Sequence, residues 1–144
     1  MTQEVAKIYD SKAVEQRAQE IWEKGRFWHG ADVPAGAKGT YAIVIPPPNV
    51  TAALHLGHAL NNTLQDILIR WRRMQGYDTC WMPGTDHAGI ATQTVVEKRL
   101  LTEQGKRRTD FKRDEFVAHV QSWKDEFEAR ILGQLKHMGC SCDW

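Results

Sequence analysis

His55 and His58 are two histidines three residues apart, and they follow a run of three prolines. At this spacing both side chains project from the same side of a helix, and here they would fall in its first turn, at the positive end of the helix dipole. Imidazoles placed there can donate hydrogen bonds to phosphate oxygens, while the glycine between them, Gly57, lets a flat base approach the backbone. The pattern indicates a site for a nucleotide phosphate.

A second candidate group consists of Asn49, Asp86 and His87. The Asp86 carboxylate could bind a cation such as an α-ammonium group, with the Asn49 amide beside it. A simpler interpretation is also open, because Asp86 could cap a helix that begins near Ala88 and do nothing more. Either histidine of the first group could likewise be a polar residue that is satisfied at a helix end.

Two short strands and the helix between them are predicted to position these residues. The apolar run from Tyr41 to Ile45 is typical of a strand that is buried on both faces of a parallel sheet. Pro46 to Pro48 end it, because proline has no N–H to donate and a fixed φ. A helix then begins near Leu54 and ends at Gly76, and a second strand runs from Thr79 to Met82. Together they make a βαβ unit.

The parallel arrangement decides where the candidate residues meet. The segments that follow the two strands leave the sheet at the same carboxyl edge, which is where such folds bind ligands. We therefore expect five side chains to converge on one crevice, namely Asn49, His55, His58, Asp86 and His87.

Three more helices are predicted around the βαβ unit. The first spans Ser11 to Lys24, with Asp10 or Ser11 as its N-cap and Gly25 as its stop, and a loop from Phe27 to Gly39 leads into the first strand. The others run from about Ala88 to Gln104 and from Asp110 to His137.

The central helix carries an apolar stripe at 3/4 spacing, which we expect to face the sheet. Its members are Leu60, Leu64, Ile67, Leu68, Trp71 and Met74. The last helix has a longer stripe from Phe116 to Met138, and Gly139 is expected to stop it.

The composition limits the classes of protein to which the chain could belong. A chain of 144 residues with 42% hydrophobic content can fold as one modest domain, and a net charge of +1 favours no polyanionic partner by itself. A basic stretch from Lys98 to Arg113 could face phosphates or be a solvated helix end. Three cysteines without a secretory signal predict free thiols in a reducing compartment, and no apolar run approaches a membrane span. We expect a soluble cytoplasmic protein without a membrane partner.

Two groups of possible metal ligands keep a small metal hydrolase open as an alternative. One joins His55 and His58 to Asp86 and His87, and it has no HExxH glutamate to act as a base. The other contains His137, Cys140 and Cys142, which give only three ligands at a cramped spacing. We predict no metal site, and Cys80 is expected to be a small core residue.

The segment PPPNVTAALHLGHA, from Pro46 to Ala59, resembles the extended HIGH motif of class I aminoacyl-tRNA synthetases, in the form typical of valyl-tRNA synthetases. PGTDHAGIATQ, from Pro83 to Gln93, resembles the next block of that family, and the similarity covers nearly the whole chain. The resemblance implies an α/β chain with the N-terminal half of a Rossmann-like nucleotide-binding fold, a short parallel sheet with flanking helices. Residues 1–39 would be a helix and loop packed on the core, and residues 40–144 the first half of the catalytic domain.

The resemblance implies a ligase reaction in which valine and ATP give valyl-adenylate and pyrophosphate, before the valyl group passes to tRNA. The carboxylate attacks the α-phosphorus in line, which requires positioning and charge stabilisation. His55 and His58 would act as catalytic contacts to the ATP phosphates. The remaining residues carried over are Thr51 and Gly57 for ATP, Asn49 and Asp86 for the valine ammonium group, and Pro46 and Pro47 for one wall of the side-chain pocket.

Two substitutions and one absence depart from the family pattern. Ala52 replaces a usual glycine, and Leu56 replaces the isoleucine of HIGH. No segment matches KMSKS, the editing insertion or the anticodon-binding domain, so we expect the isolated chain to be weakly active or inactive. Losing one charge-stabilising donor costs about 2.7–4 kcal/mol of transition-state stabilisation.

The partners expected from the resemblance are ATP with Mg²⁺ as substrate, valine, and tRNA in the full-length family enzyme, with no bound prosthetic group. We also expect an open edge on the first strand, through which the chain self-associates or over which a loop folds. A non-catalytic binding module derived from a synthetase is the alternative function.

Overall fold

A computed structural model describes residues 8–30 and 36–144. Four helices and two strands follow in the order α1 Ser11–Gly25, β1 Thr40–Val44, α2 Leu56–Met74, β2 Asp78–Met82, α3 Gly89–Gln104 and α4 Arg113–His137. A short 3₁₀ turn, Arg108–Asp110, precedes α4. The predicted loop from Phe27 to Gly39 lies in part outside the described residues, as do the first seven residues of the predicted N-terminal segment.

β1 and β2 form a two-stranded parallel sheet, in register from Thr40 opposite Asp78 to Val44 opposite Met82. The predicted strand–helix–strand unit is therefore confirmed. Backbone pairing continues past the strand ends, since the Ile45 N–H donates to the Met82 carbonyl at 3.0 Å. The three prolines after Ile45 then end the strand, as predicted.

Only one face of the sheet is buried. Ile45 and Trp81 are almost fully buried on that face, whereas the Val44 side chain on the other face is 73% exposed. The prediction that the first strand is buried on both faces is therefore wrong for the part of the chain that the structure describes. The sequence run from Tyr41 to Ile45 is continuously apolar, so it carries no alternation that could distinguish a covered face from an uncovered one.

The main core joins the sheet to α2 and α4. Its buried members are Ile45, Val50, Ile69, Trp81, Phe127, Ile131, Leu135, Cys140 and Cys142. Trp81 is central to it, and its indole N–H donates to the Gln65 side chain on α2 at 3.1 Å. A smaller core between α3 and α4 contains Val96, Leu100 and Phe116.

The orientation of α2 differs from the prediction. Its buried residues are Asn62 and Ile69, while every member of the predicted core-facing stripe is between 42% and 86% exposed. The expectation that this stripe packs on the sheet is therefore wrong. An apolar period identifies one side of a helix without saying what covers it, and here Asn62, Gln65 and Ile69 form the side that meets the sheet core.

Next to the residues of α2 that contact the sheet, Asp66 and Arg70 bind the segment after α4. Asp66 accepts hydrogen bonds from the backbone N–H and hydroxyl of Ser141, and the Arg70 guanidinium donates to the Gly139 carbonyl at 2.8 Å. The Asp143 N–H then donates to the Trp81 carbonyl at 2.9 Å. The last residues are thus fixed against both α2 and β2.

The ends of the remaining helices agree closely with the predicted ones. Asp10 is the N-cap of α1, but its C-cap is Arg26, in the left-handed region with φ 48°, and not Gly25. The last helix begins at Arg113 and not at Asp110, because the 3₁₀ turn occupies the preceding residues. Gly139 follows α4 with φ 75°, as expected of a helix stop.

Within residues 8–30 and 36–144, none of the helices combines the length and the apolar character that crossing a membrane requires.

Candidate functional site

The loops after β1 and β2 are joined by backbone hydrogen bonds. Asn49 and Asp86 form an isolated parallel bridge, in which the Asp86 N–H donates to the Pro48 carbonyl at 2.8 Å and the Val50 N–H donates to the Asp86 carbonyl at 2.9 Å. The predicted convergence of these loops at the carboxyl edge of the sheet is therefore present. Asn49 and Asp86 lie side by side, and both are exposed.

The Asp86 carboxylate has a structural contact of its own. Its Oδ1 accepts a hydrogen bond from the Ala88 N–H at 2.8 Å, just before α3 begins at Gly89. Ala88 has φ 53°, an uncommon conformation for alanine that this contact helps to hold. Ala88 is itself the N-cap of α3 and has no side-chain cap bond, so Asp86 holds the turn before the helix and does not cap it as the simpler interpretation had it.

His55 and His58 cap the N-terminus of α2 together. The His55 Nδ1 accepts a hydrogen bond from the Gly57 N–H at 3.1 Å, and the His55 N–H donates to the His58 Nδ1 at 3.2 Å. The two rings lie 4.0 Å apart between centroids. His55 is the N-cap itself and not part of the first turn, since α2 begins at Leu56.

This reciprocal cap determines which nitrogen of each ring carries the proton. Each Nδ1 accepts a backbone N–H, so neither Nδ1 carries a proton, and the proton of each neutral ring must be on Nε2. Partial burial, reinforced by the neighbouring His55, lowers the pKa of His58 below its ordinary value. In this tautomer the pair presents Nε2–H donors at the positive end of α2.

Gly57 makes room for the His55 ring. A Cβ added at Gly57 would lie 2.9 Å from the His55 Cε1 and 3.1 Å from its Nδ1, which is closer than van der Waals contact allows. A side chain at this position would therefore push the ring out of the cap. The position of the His55 ring therefore explains the glycine without any ligand, and the sequence alone does not indicate it.

The other predicted residues lie on the same two loops. Pro46 and Pro47 are exposed and Pro48 is buried, while Thr51 is half-buried and His87 exposed. Among the described residues, no hydrogen bond or ion pair connects the histidine pair to the Asn49–Asp86 pair. The structure thus assembles two groups, each fixed by its own backbone contacts.

Helix α4 makes three contacts to the loops that the sequence analysis did not identify. The Trp123 indole N–H donates to the Val50 carbonyl at 2.8 Å, and the Leu54 N–H donates to the Gln134 Oε1 at 3.0 Å. Glu128 accepts a hydrogen bond from the Thr85 hydroxyl at 2.8 Å, and this bond is the main cause of a lowered Glu128 pKa. The sequence shows α4 mainly as an apolar stripe, which gives no signal for these polar contacts.

A cavity of about 700 Å³ lies between α4 and the start of α2. His55 and Leu54 line one side of it, and Arg130, Gln134 and His137 line the other. The histidine cap therefore borders an open space that is large enough for a ligand of nucleotide size.

Neither of the two groups of possible metal ligands, whose residues all lie in the described ranges, comes together. Within the described ranges, no three His, Cys, Asp or Glu side chains come together in a way that could hold a metal ion. Cys140 and Cys142 are buried in the core instead. Burial raises the pKa of Cys140 to about 11 and raises that of Cys142 as well, so both are protonated thiols and poor ligands. Cys80, predicted as a core residue, is half-buried in β2.

Comparison with known proteins identifies close relatives. Valine–tRNA ligase of Protochlamydia amoebophila (strain UWE25) is 55% identical over 141 residues, which make up 98% of this chain and 15% of that relative. Valine–tRNA ligase of Chlamydia trachomatis serovar L2 (strain ATCC VR-902B / DSM 19102 / 434/Bu) is 58% identical over 139 residues, 96% of this chain and 14% of the relative. The chain thus spans only about 15% of the length of the curated relatives it matches.

The family profile agrees with these relatives. The family described as "tRNA synthetases class I (I, L, M and V)" matches residues 17–144, which include both strands, the histidine cap and the Asn49–Asp86 bridge. The chain therefore belongs to the class I tRNA synthetases.

Proposed function

We propose that this chain is the ATP- and valine-binding portion of a valine–tRNA ligase, which forms valyl-adenylate for transfer to tRNA. The observation that carries the proposal is the histidine cap beside the Asn49–Asp86 bridge, in a chain 55–58% identical to valine–tRNA ligases over nearly its whole length. We infer the division proposed from the sequence, with residues 1–39 as an N-terminal segment and residues 40–144 as the first half of the catalytic domain.

The histidines are assigned to the phosphates. ATP enters as its Mg²⁺ complex, and the Nε2–H groups of His55 and His58 donate to its phosphate oxygens. Charge builds up on these oxygens as the valine carboxylate attacks the α-phosphorus and pyrophosphate leaves. Donors held in place by the backbone need little reorganisation during the reaction, which supports a catalytic role for the pair. Gly57 lies under adenine, and Thr51 contributes to the same ATP site.

The Asn49–Asp86 pair is assigned to the amino acid. One Asp86 oxygen already accepts the Ala88 N–H, and the other receives the valine ammonium group together with the Asn49 side-chain carbonyl. Pro46 and Pro47 are exposed beside this pair and form a rigid wall for the small aliphatic side chain. The backbone bridge keeps both ammonium-binding residues in register.

Valine-dependent exchange of radioactive pyrophosphate into ATP tests the proposal. We expect slow exchange, because this sequence has no KMSKS segment and the loss of one charge-stabilising donor reduces such rates about a hundred- to thousandfold. The exchange should stop without valine and fall at least tenfold in the double variant His55→Ala/His58→Ala. Exchange that is independent of valine, or that survives in the double variant, would reject the assignment.

The exposed stripe of α2 favours a second candidate, a non-catalytic binding module. A surface with this many exposed large apolar side chains is typical of a docking site. A chain with this function would bind a protein partner and neither ATP nor a valyl-adenylate analogue. Calorimetry with these two ligands therefore separates the candidates.

Self-association through the sheet edge is proposed for the isolated chain. β1 pairs only with β2 among the described residues, and alternation along the strand directs the Ala42 and Val44 N–H groups to its other edge. We expect concentration-dependent dimers by sedimentation equilibrium. Val44→Lys should abolish them, while Val117→Lys, at a valine that is 53% exposed on α4, should leave them intact. A monomeric parent chain at all concentrations would refute this interface.

The proposed location is the cytoplasm, where ATP, valine and tRNA are available. The cysteines support it, since all three are free thiols and two of them are in the core.

A further inference from the structure

We propose that α4 is a clamp on both loops of the site, in which Gln134 is a positioning residue for the histidine pair. The clamp consists of Trp123, Glu128 and Gln134, whose side chains bond to the segments after β1 and β2. The first and last of these three residues are eleven residues apart on one helix, or about 16.5 Å along its axis. One rigid element therefore reaches both loops, and the Asn49–Asp86 bridge is the direct backbone link between them in the part of the chain that the structure describes.

Gln134 has the most direct connection to the histidines. It holds the N–H of Leu54, the residue immediately before the N-cap His55. This contact fixes the peptide plane between Ala53 and Leu54, one residue ahead of the peptide that carries the His55 N–H. The His55 backbone itself is extended, with φ −123° and ψ 175°. In that conformation the His55 ring folds back onto the Gly57 N–H, and the His55 N–H points to the His58 ring. Gln134 therefore holds the chain one residue before the His55 N–H, and through that segment it positions both rings.

Trp123 holds the other end of the same segment. Its indole N–H bonds to the Val50 carbonyl, and its ring stacks on Phe127 with centroids 4.1 Å apart. The stretch from Val50 to Leu54 is therefore tied to α4 at both ends. Glu128, which is also held by Lys124 at 3.1 Å, ties the Thr85 hydroxyl beside Asp86 to the same helix.

The inference rests on the proposed function only for the statement that the histidines meet ATP. Its structural part is tested in the 144-residue chain by NMR of the imidazole nitrogens, which reports the tautomer and the titration of each histidine. In the parent chain we expect the Nε2–H tautomer for both His55 and His58. Gln134→Ala should mix the tautomers and move the His58 titration toward that of an ordinary histidine.

Two further variants identify the cause. Gln134→Glu keeps an acceptor oxygen for the Leu54 N–H and should restore the parent tautomer and titration. Gln121→Ala is the matched control, because Gln121 is an exposed glutamine of α4 whose side chain, within residues 8–30 and 36–144, donates to Asp125 alone, at 3.0 Å. Loss of one positioning hydrogen bond should weaken ATP binding about three- to tenfold in Gln134→Ala. If Gln134 only stabilised the fold, Gln134→Ala would lower the melting temperature and leave the histidine NMR signals unchanged.

Hydrogen exchange keeps the inference testable if Gln134→Ala does not fold. In the parent chain the Leu54 N–H should exchange about tenfold more slowly than the neighbouring Ala53 N–H, which has no such partner in the described chain. Equal exchange rates for these two amides, or parent-like histidine signals in a folded Gln134→Ala variant, would overturn the inference. If the parent chain does not bind ATP, the proposed function is rejected. The histidine NMR signals and the amide exchange rates still test the structural part of the inference.

Discussion

His55 and His58 show how two side chains can acquire donor properties from the backbone around them. Each ring uses its Nδ1 to satisfy an N–H at the start of α2, so the remaining nitrogen is directed outward as a donor. The same bonds make the pair sensitive to acid, because protonation of either Nδ1 removes an acceptor. They also make it sensitive to the size of residue 57.

The first residue-scale prediction concerns pH. The pKa of His58 is lower in the folded chain than its ordinary 6.5, so the unfolded state binds more protons as the pH falls. The free energy of unfolding should therefore be highest above pH 6.5 and should decrease as the pH drops through 6.5 toward the lower folded value. Urea unfolding at pH 7.5 and 5.5 measures this difference. His58→Gln, which keeps an acceptor and cannot titrate, should reduce it, and an unchanged difference would contradict the cap.

The second prediction concerns Gly57. Alanine normally stabilises a helix by about 0.5–1 kcal/mol relative to glycine. Gly57→Ala should lose this gain, because its Cβ would displace the His55 ring and the cap with it. Gly133→Ala is the matched control, since a Cβ at Gly133 in α4 meets nothing within 4 Å and should give the full gain. Equal stabilisation of both variants in urea unfolding would show that the His55 ring does not occupy the position described.

At the scale of elements, α2 has two sides with opposite roles. The sheet-facing side is polar apart from Ile69, while the more hydrophobic side is exposed. Helix stability in this chain therefore depends on a few specific contacts, including Gln65 to Trp81 and Asp66 to the Ser141 backbone. A substitution on α2 should be judged by the side it falls on and not by its hydrophobicity.

The prediction at this scale compares two isoleucines of α2. Ile69 is fully buried in the main core, so Ile69→Ala should reduce the free energy of unfolding by about 2–5 kcal/mol. Ile67 is 57% exposed, so Ile67→Gln should change it by no more than about 0.5 kcal/mol. Urea unfolding at a concentration where the chain is monomeric measures both. A larger loss for Ile67→Gln would mean that the stripe is covered within the monomer.

Local sequence signals account for the parts of the fold that were predicted correctly. Three prolines and the glycines at 76 and 139 mark where elements end, and the topology of a βαβ unit then brings Asn49 next to Asp86. The side of α2 that packs could not be predicted, because periodicity does not identify the covering surface. Gln134 and Glu128 could not be predicted either, since their partners are a distant backbone N–H and a distant hydroxyl, and such long-range contacts have no local pattern.

At the scale of the whole molecule, the chain combines a well-packed site with large uncovered surfaces. Backbone bridges, the histidine cap and the α4 contacts fix the site from within these 144 residues. The exposed stripe of α2 and the uncovered face of the sheet belong to a chain that spans about 15% of the relatives it matches. The ligand binding proposed for the site and the solubility of the isolated chain are therefore separate properties, and each needs its own measurement.

Calorimetric titration with a non-hydrolysable valyl-adenylate analogue tests the central claim most directly, because that ligand combines the phosphate and the ammonium group for which the two sites are proposed. The account predicts binding of one analogue per chain, weakened more than about tenfold in His55→Ala/His58→Ala, since each histidine supplies a hydrogen bond to a charged group. His119→Ala, at a histidine of α4 that packs on Phe111, should bind like the parent chain. No binding by the folded parent chain, or equal binding by the double variant, would contradict the account.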